Sequence, residues 1–216
     1  MEWRVKVKIC GITHKQDAWD AVDAGADSLG FIFAPSSPRY INPEGARAII
    51  RSLPPFITPV AVFVNAARDD VLETIKISGA RCLQFHGEEA PEQVSGYDIP
   101  VYKAFRMTPT FRAEILKQYN TCAYLLDTYA DGKHGGTGMA FDWNIARDAK
   151  RFGRIILSGG LTPENIQAAI LHVWPYAVDV NSGVERSPGI KDKKKIQQLL
   201  NVIGKLQSNS HQEPVC

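Results

Sequence analysis

No apolar run in the sequence reaches 18 residues, the length at which a helix becomes a candidate to cross a bilayer. Nor does a basic segment followed by an apolar stretch stand at the N-terminus, as a secretory leader would require. Both absences point to a cytoplasmic protein. Cysteine is sparse: Cys10, Cys82, Cys122 and Cys216 make neither CxxC pairs nor a compact even-numbered framework. That spacing argues against structural zinc and disulfides and leaves reduced thiols. An excess of one charge sign is also missing. The 25 Lys and Arg against 23 Asp and Glu give +2, without the field that nucleic acid or a membrane surface would require. The expected partner is a small molecule.

What the sequence does contain is apolar material for one good core, 44% of 216 residues, in the size range where a barrel remains a single domain. Eight short β-rich runs can be read at 5–10, 28–33, 60–64, 82–86, 101–105, 123–127, 154–158 and 177–181. Helix-like stretches follow them at 15–24, 43–52, 69–78, 89–95, 110–119, 142–150, 163–171 and 190–206, several opened by Pro or Asp. Strand and helix alternating eight times imply parallel pairing through right-handed crossovers and closure into an α/β (β/α)8 barrel. The domain is expected over 1–206. Gly25–Phe31 (GADSLGF) echoes Gly79–Phe85 (GARCLQF) at a spacing of two βα units. From about Gln207 the chain is polar and aperiodic, and the tail 207–216 with Cys216 is expected to be disordered.

In such a barrel the active site lies at the C-terminal ends of the strands. The residues there are unusual: Cys10-Gly11, Asn65, His86-Gly87, Asp127-Thr128, Ser158-Gly159-Gly160 and Asn181-Ser182-Gly183. In the first strand, period-two alternation places Val5, Val7 and Ile9 toward the helices and Lys6, Lys8 and Cys10 inward. Cys10 then faces the mouth with Lys8 about 7 Å below it, where a positive charge favours a thiolate. A lone cysteine is usually a small buried hydrophobe, but the Gly11-Ile12-Thr13 turn directly after it favours the reactive reading. Asp127 closes an apolar run on the inward face shared with Ala123 and Leu125, as a semi-buried general acid or a cap for the next element. The Gly-rich segment 128–138 that follows has the composition of a lid loop. Two Gly-rich turns, Ser158–Thr162 and Asn181–Glu185, end the last two strands, where backbone N–H groups and a helix start can cradle a phosphate. Arg39, in the loop after the second strand, can clamp a carboxylate or stand as a solvated surface charge.

These residues resemble a known family. Lys8–Thr13 (KICGIT), Gly30–Phe33 (GFIF), Ser37–Ile41 (SPRYI), Val62–Asn65 (VFVN), Gln84–Gly87 (QFHG), Leu126–Thr128 (LDT), Gly135–Gly138 (GGTG), Phe141–Trp143 (FDW), Leu157–Leu161 (LSGGL) and Asp179–Glu185 (DVNSGVE) are similar to the motifs of phosphoribosylanthranilate isomerase, in order, from residue 6 to about 192. Phe85 stands where leucine is commoner, a matter of packing rather than chemistry. The resemblance implies an Amadori rearrangement in tryptophan biosynthesis without metal or organic cofactor, with Cys10 as general base and Asp127 as general acid. It implies substrate contacts at Arg39, His86, Gly159, Gly160, Asn181, Ser182 and Gly183. Both catalytic groups need tuning, since at pH 7 an ordinary thiol is only about 3% ionised and an ordinary aspartic acid about one part in a thousand protonated. Lys8 is expected to lower the thiol pKa and burial to raise that of the acid. A monomer is expected ahead of a homodimer.

Three rivals fit less well, and one of them, indole-glycerol-phosphate synthase, would need a catalytic lysine pattern that the sequence does not show. The related aminoaldose isomerase of histidine biosynthesis needs a second phosphate turn, but the third strand ends in Phe63-Val64-Asn65-Ala66-Ala67, and the position of its base carboxylate holds Cys10. A phosphosugar-binding barrel without turnover would have no use for the pair Cys10 and Asp127.

Overall fold

In the computed structural model, which describes residues 4–127 and 143–209, eight parallel strands close into one barrel in chain order. They are β1 (Lys6–Ile9), β2 (Ser28–Ile32), β3 (Thr58–Phe63), β4 (Cys82–Phe85), β5 (Val101–Arg106), β6 (Ala123–Asp127), β7 (Ile155–Ser158) and β8 (Ala177–Val180). β1 pairs with both β2 and β8, which completes the ring. Each strand coincides with an expected run to within two residues at either end.

Side-chain alternation divides the core in two. Ala123 and Leu125 of β6, Tyr102 and Ala104 of β5 and Val60 and Val62 of β3 fill the barrel interior. Leu29, Phe31, Phe63, Phe85, Leu126 and Val178 point outward into the helix layer, because neighbours on a strand face opposite sides of the sheet. Phe85 is fully buried there, 6.2 Å between ring centroids from Phe63 and 5.6 Å from Tyr97, so its departure from leucine is a packing change. The helices around the barrel are α1 (Lys15–Ala24), α2 (Pro43–Ile50), α3 (Arg68–Ser78), α4 (Trp143–Ala149), α5 (Ile166–Val173) and α6 (Lys193–Asn209). α2 begins with Asn42, whose side chain accepts from Gly45 N at 2.7 Å, and Pro43 follows in the first turn. The GADSLGF echo marks equivalent junctions: Gly25 and Gly79 cap α1 and α3 in the left-handed conformation just before β2 and β4.

Two of the eight expected helices are different. Residues 89–95 form turns, because Glu89 folds into the interior and bonds the backbone of Asn65 and Gly87 instead of facing solvent. The stretch 110–119 yields only 3₁₀ turns over Ala113–Gln118. The start of the last expected helix is a hairpin, β9 (Glu185–Ser187) with β10 (Ile190–Lys191). α6 runs three residues past Leu206, so Gln207 belongs to the helix rather than the tail. The Gly-rich segment 128–138 and the rest of the tail, Cys216 included, lie outside the described residues. Among those described, no helix is long and apolar enough to cross a membrane.

Candidate functional site

A cavity of about 530 Å³ opens where β1, β4, β6, β7 and β8 end, and its walls include Cys10, Arg39, His86, Asp127, Ser158–Leu161 and Asn181–Gly183. Every site residue named from the sequence therefore reaches one place. Asn65 is the exception among the polar strand ends: its side chain accepts from Glu88 N at 2.7 Å, and it serves the loop.

Cys10 is 4% exposed and sits against Lys8, two residues earlier on the inward face of β1. Lys8 is itself buried and bonds both carboxylate oxygens of Asp179 on β8 at 2.9 Å. Gly30 of β2 makes this possible, since a Cβ there would stand 2.6 Å from Cys10 Sγ and 2.9 Å from Lys8 Nζ. The electrostatic outcome differs from the expected lowering of the thiol. Burial pushes the Cys10 pKa up, Lys8 pulls it down, Asp179 pushes it up again, and the net direction is upward. Burial alone would also lower Lys8, but the Asp179 carboxylate and the thiol outweigh it, so Lys8 keeps its charge to higher pH than an ordinary lysine. The partner Asp179 was legible in principle, because Ala177, Asp179 and Asn181 share one face of β8.

Asp127 meets His86 Nε2 through Oδ2 at 3.1 Å. Behind it, Gln84 Nε2 lies 2.8 Å from His86 Nδ1, and Tyr102 donates its hydroxyl to Gln84 Oε1 at 2.9 Å. Burial keeps the Tyr102 hydroxyl protonated far above the usual range. An amide nitrogen can only donate, so Nδ1 is the acceptor and Nε2 carries the proton toward Asp127. Two buried side chains from β4 and β5 thus set the tautomer of a third at the cavity wall.

The turns after β7 and β8 lie one against the other. Asn165 closes the first: its side chain accepts from Thr162 N at 2.8 Å and donates to Gly160 O at 2.9 Å. Ser182 and Gly183 open a 3₁₀ turn, where N–H groups have no acceptor within the turn itself. A Cβ on Gly183 would overlap the carbonyl oxygen of Leu161. Gly183→Ala is therefore expected to push the turns apart, to weaken binding of a phosphorylated ligand by about tenfold or more, and to lower Tm. Calorimetric titration beside thermal unfolding checks both effects.

Arg39 lines the cavity, but its guanidinium is clamped from behind. Nε donates to Glu185 Oε1 at 2.9 Å and Oε2 at 3.1 Å, and the Nη2 group to Oε2 at 2.7 Å. Lys191 bonds the same carboxylate at 2.9 Å. Burial alone would raise the Glu185 pKa, but Arg39 and Lys191 together hold it below the ordinary value. Glu185 stands in the sequence only as the last residue of the Asn181–Glu185 turn and of the Asp179–Glu185 motif, with no role assigned to it; Lys191 and Arg106, the latter bordering the cavity, are not among the residues the sequence singles out. A second cavity of about 490 Å³ lies at the opposite end of the barrel, beside Phe56. It is at the strand N-termini, where barrel enzymes do not carry their chemistry.

The family model described as N-(5'phosphoribosyl)anthranilate (PRA) isomerase matches residues 7–202. This chain belongs to the phosphoribosylanthranilate isomerase family. An N-(5'-phosphoribosyl)anthranilate isomerase of Citrifermentans bemidjiense is 52% identical over 90% of this chain and 95% of its own. The crystal structure of phosphoribosyl anthranilate isomerase from Thermotoga maritima matches with TM-score 0.84 at 40% identity, over 93% of this chain and 99% of the other. A structure of phosphoribosyl anthranilate isomerase in complex with reduced 1-(o-carboxyphenylamino)-1-deoxyribulose 5-phosphate matches at 0.82 and 39% identity, over 93% and 99%. The chain is thus an isomerase of tryptophan biosynthesis with a TIM-barrel fold.

Proposed function

We propose that the cavity converts N-(5-phosphoribosyl)anthranilate to 1-(2-carboxyphenylamino)-1-deoxyribulose 5-phosphate with Cys10 as general base and Asp127 as general acid. The observation that carries this reading is their meeting in one cavity, from β1 and β6, beside the turns of β7 and β8. Asp127 gives its proton to the furanose ring oxygen. The C1–O bond breaks as the nitrogen lone pair forms a C1=N iminium. Cys10 as thiolate takes the proton from C2, the electron pair moves to C1=C2, and the nitrogen becomes neutral in an enolamine. Transfer of a proton from the C2 hydroxyl to C1 leaves the C2 ketone. Gly159, Gly160, Ser182 and Gly183 hold the phosphate through backbone N–H groups beside Asn181. His86 fixes the acid, and the protein works in the cytoplasm.

The test is turnover of phosphoribosylanthranilate generated in the assay, followed by loss of anthranilate-type fluorescence. Phosphate binding without turnover would favour the non-catalytic barrel instead. Arg39, held by Glu185 on the cavity wall, is assigned the substrate carboxylate. Arg39→Ala is expected to raise KM by about tenfold or more and to change kcat little. Unchanged steady-state kinetics would return Arg39 to a purely structural ion pair.

A further inference from the structure

Lys191 lies outside the barrel proper, in β10, and is 2% exposed. Its ammonium makes three bonds: to Asn181 O at 3.2 Å, Asn181 Oδ1 at 2.9 Å and Glu185 Oε1 at 2.9 Å. The hairpin does not need that charge to close. Its backbone is held by Lys191 N donating to Asp17 Oδ2 and by Asp192 N donating to Val184 O. An apolar side chain of similar length would fill the space without the cost of dehydrating an ammonium, a cost visible in the lowered pKa of Lys191.

The two oxygen-bearing partners explain what the charge does. Asn181 is the residue directly before Ser182 and Gly183. Glu185 is the carboxylate behind Arg39, so Arg39, Glu185 and Lys191 form a cluster of two cations and one anion at the cavity wall. That surplus of one positive charge lies where an anionic substrate must bind.

We propose that Lys191 is a positioning residue for the substrate anions, fixing the β8 turn through Asn181 and Arg39 through Glu185 from behind the cavity wall. The proposal rests on the reading that the turns take the phosphate and Arg39 the carboxylate. One buried ammonium then sets both binding ends without touching the reacting atoms.

The experiment compares wild type with Lys191→Met, Lys191→Arg and Glu185→Gln, using steady-state kinetics and amide NMR of Ser182 and Gly183 titrated with inorganic phosphate. Lys191→Met leaves Glu185 paired with Arg39, so no buried charge is stranded. It is expected to raise KM and weaken phosphate binding by about tenfold each, with kcat within about threefold. Lys191→Arg recovers part of both losses. Glu185→Gln raises KM through Arg39 while phosphate affinity stays at the wild-type level. Wild-type KM and phosphate affinity in Lys191→Met overturn the proposal alone. Ser182 and Gly183 amides that ignore phosphate in the wild type overturn the underlying assignment of the turns. If Lys191→Met does not fold, Lys191→Leu, which likewise removes the donor to Asn181 and Glu185, is read by the same criteria.

Discussion

Asp127→Asn and Cys10→Ser are each expected to lower kcat by roughly 10²- to 10⁴-fold, the usual contribution of a positioned acid or base, while KM stays within a few-fold of wild type. Asparagine keeps the shape of the carboxyl and can still accept from His86 Nε2, so the chain from Tyr102 through Gln84 survives. What it lacks is a proton to give to the ring oxygen. Serine fits where the thiol sat, beside Gly30 and Lys8, but its alkoxide is out of reach near neutral pH. The pattern of low kcat with retained binding separates loss of chemistry from loss of fold. Near-wild-type kcat in either variant, measured under saturating substrate, refutes the role assigned to that residue.

The barrel and most of the site could be read from the chain because both follow from alternation. A strand's inward residues are every second one, so Cys10, His86, Asp127 and Ser158 could be placed on the mouth once the strands were found. Helices were harder. Residues 89–95 have the composition of a surface helix, but Glu89 makes bonds to Asn65 N and Gly87 N that no local pattern reveals. The same limit applies to partners. Lys8 was visible beside Cys10, yet the carboxylate that pairs with it is 171 residues away. Arg39 appeared as a clamp, but the carboxylate that holds it, Glu185, comes through a hairpin that followed no strand or helix period. Single residues are announced by local sequence, whereas pairing across the barrel is settled by closure.

That pairing leads to the second large effect. The Cys10 thiol is faced by three charges: Lys8 on its own strand, Asp179 on β8 and Lys191 on β10. Lys8 and Lys191 pull its pKa down, Asp179 pushes it up, and burial pushes hardest. Asp179→Asn removes a negative neighbour and leaves the Lys8 ammonium beside the thiol, so the thiolate forms at lower pH. The ascending limb of kcat/KM against pH, which reports the free enzyme, is expected to move toward acid. Lys8→Met has the opposite sign: the main opposing cation is gone, Asp179 remains, and the limb moves toward alkali. It also strands a carboxylate that is 4% exposed, a loss of about 3–5 kcal/mol, or on the order of 10 °C in Tm. Asp179→Asn keeps an oxygen that accepts from Lys8 but leaves the equally buried ammonium without its counter-charge, so it too is expected to lower Tm. Titration of thiolate absorbance in the ultraviolet follows the same group without substrate. A scaffold role for the pair would lower Tm in both variants and leave the profiles superimposed on wild type. Opposite displacements are expected only if Lys8 and Asp179 together set the basicity of Cys10.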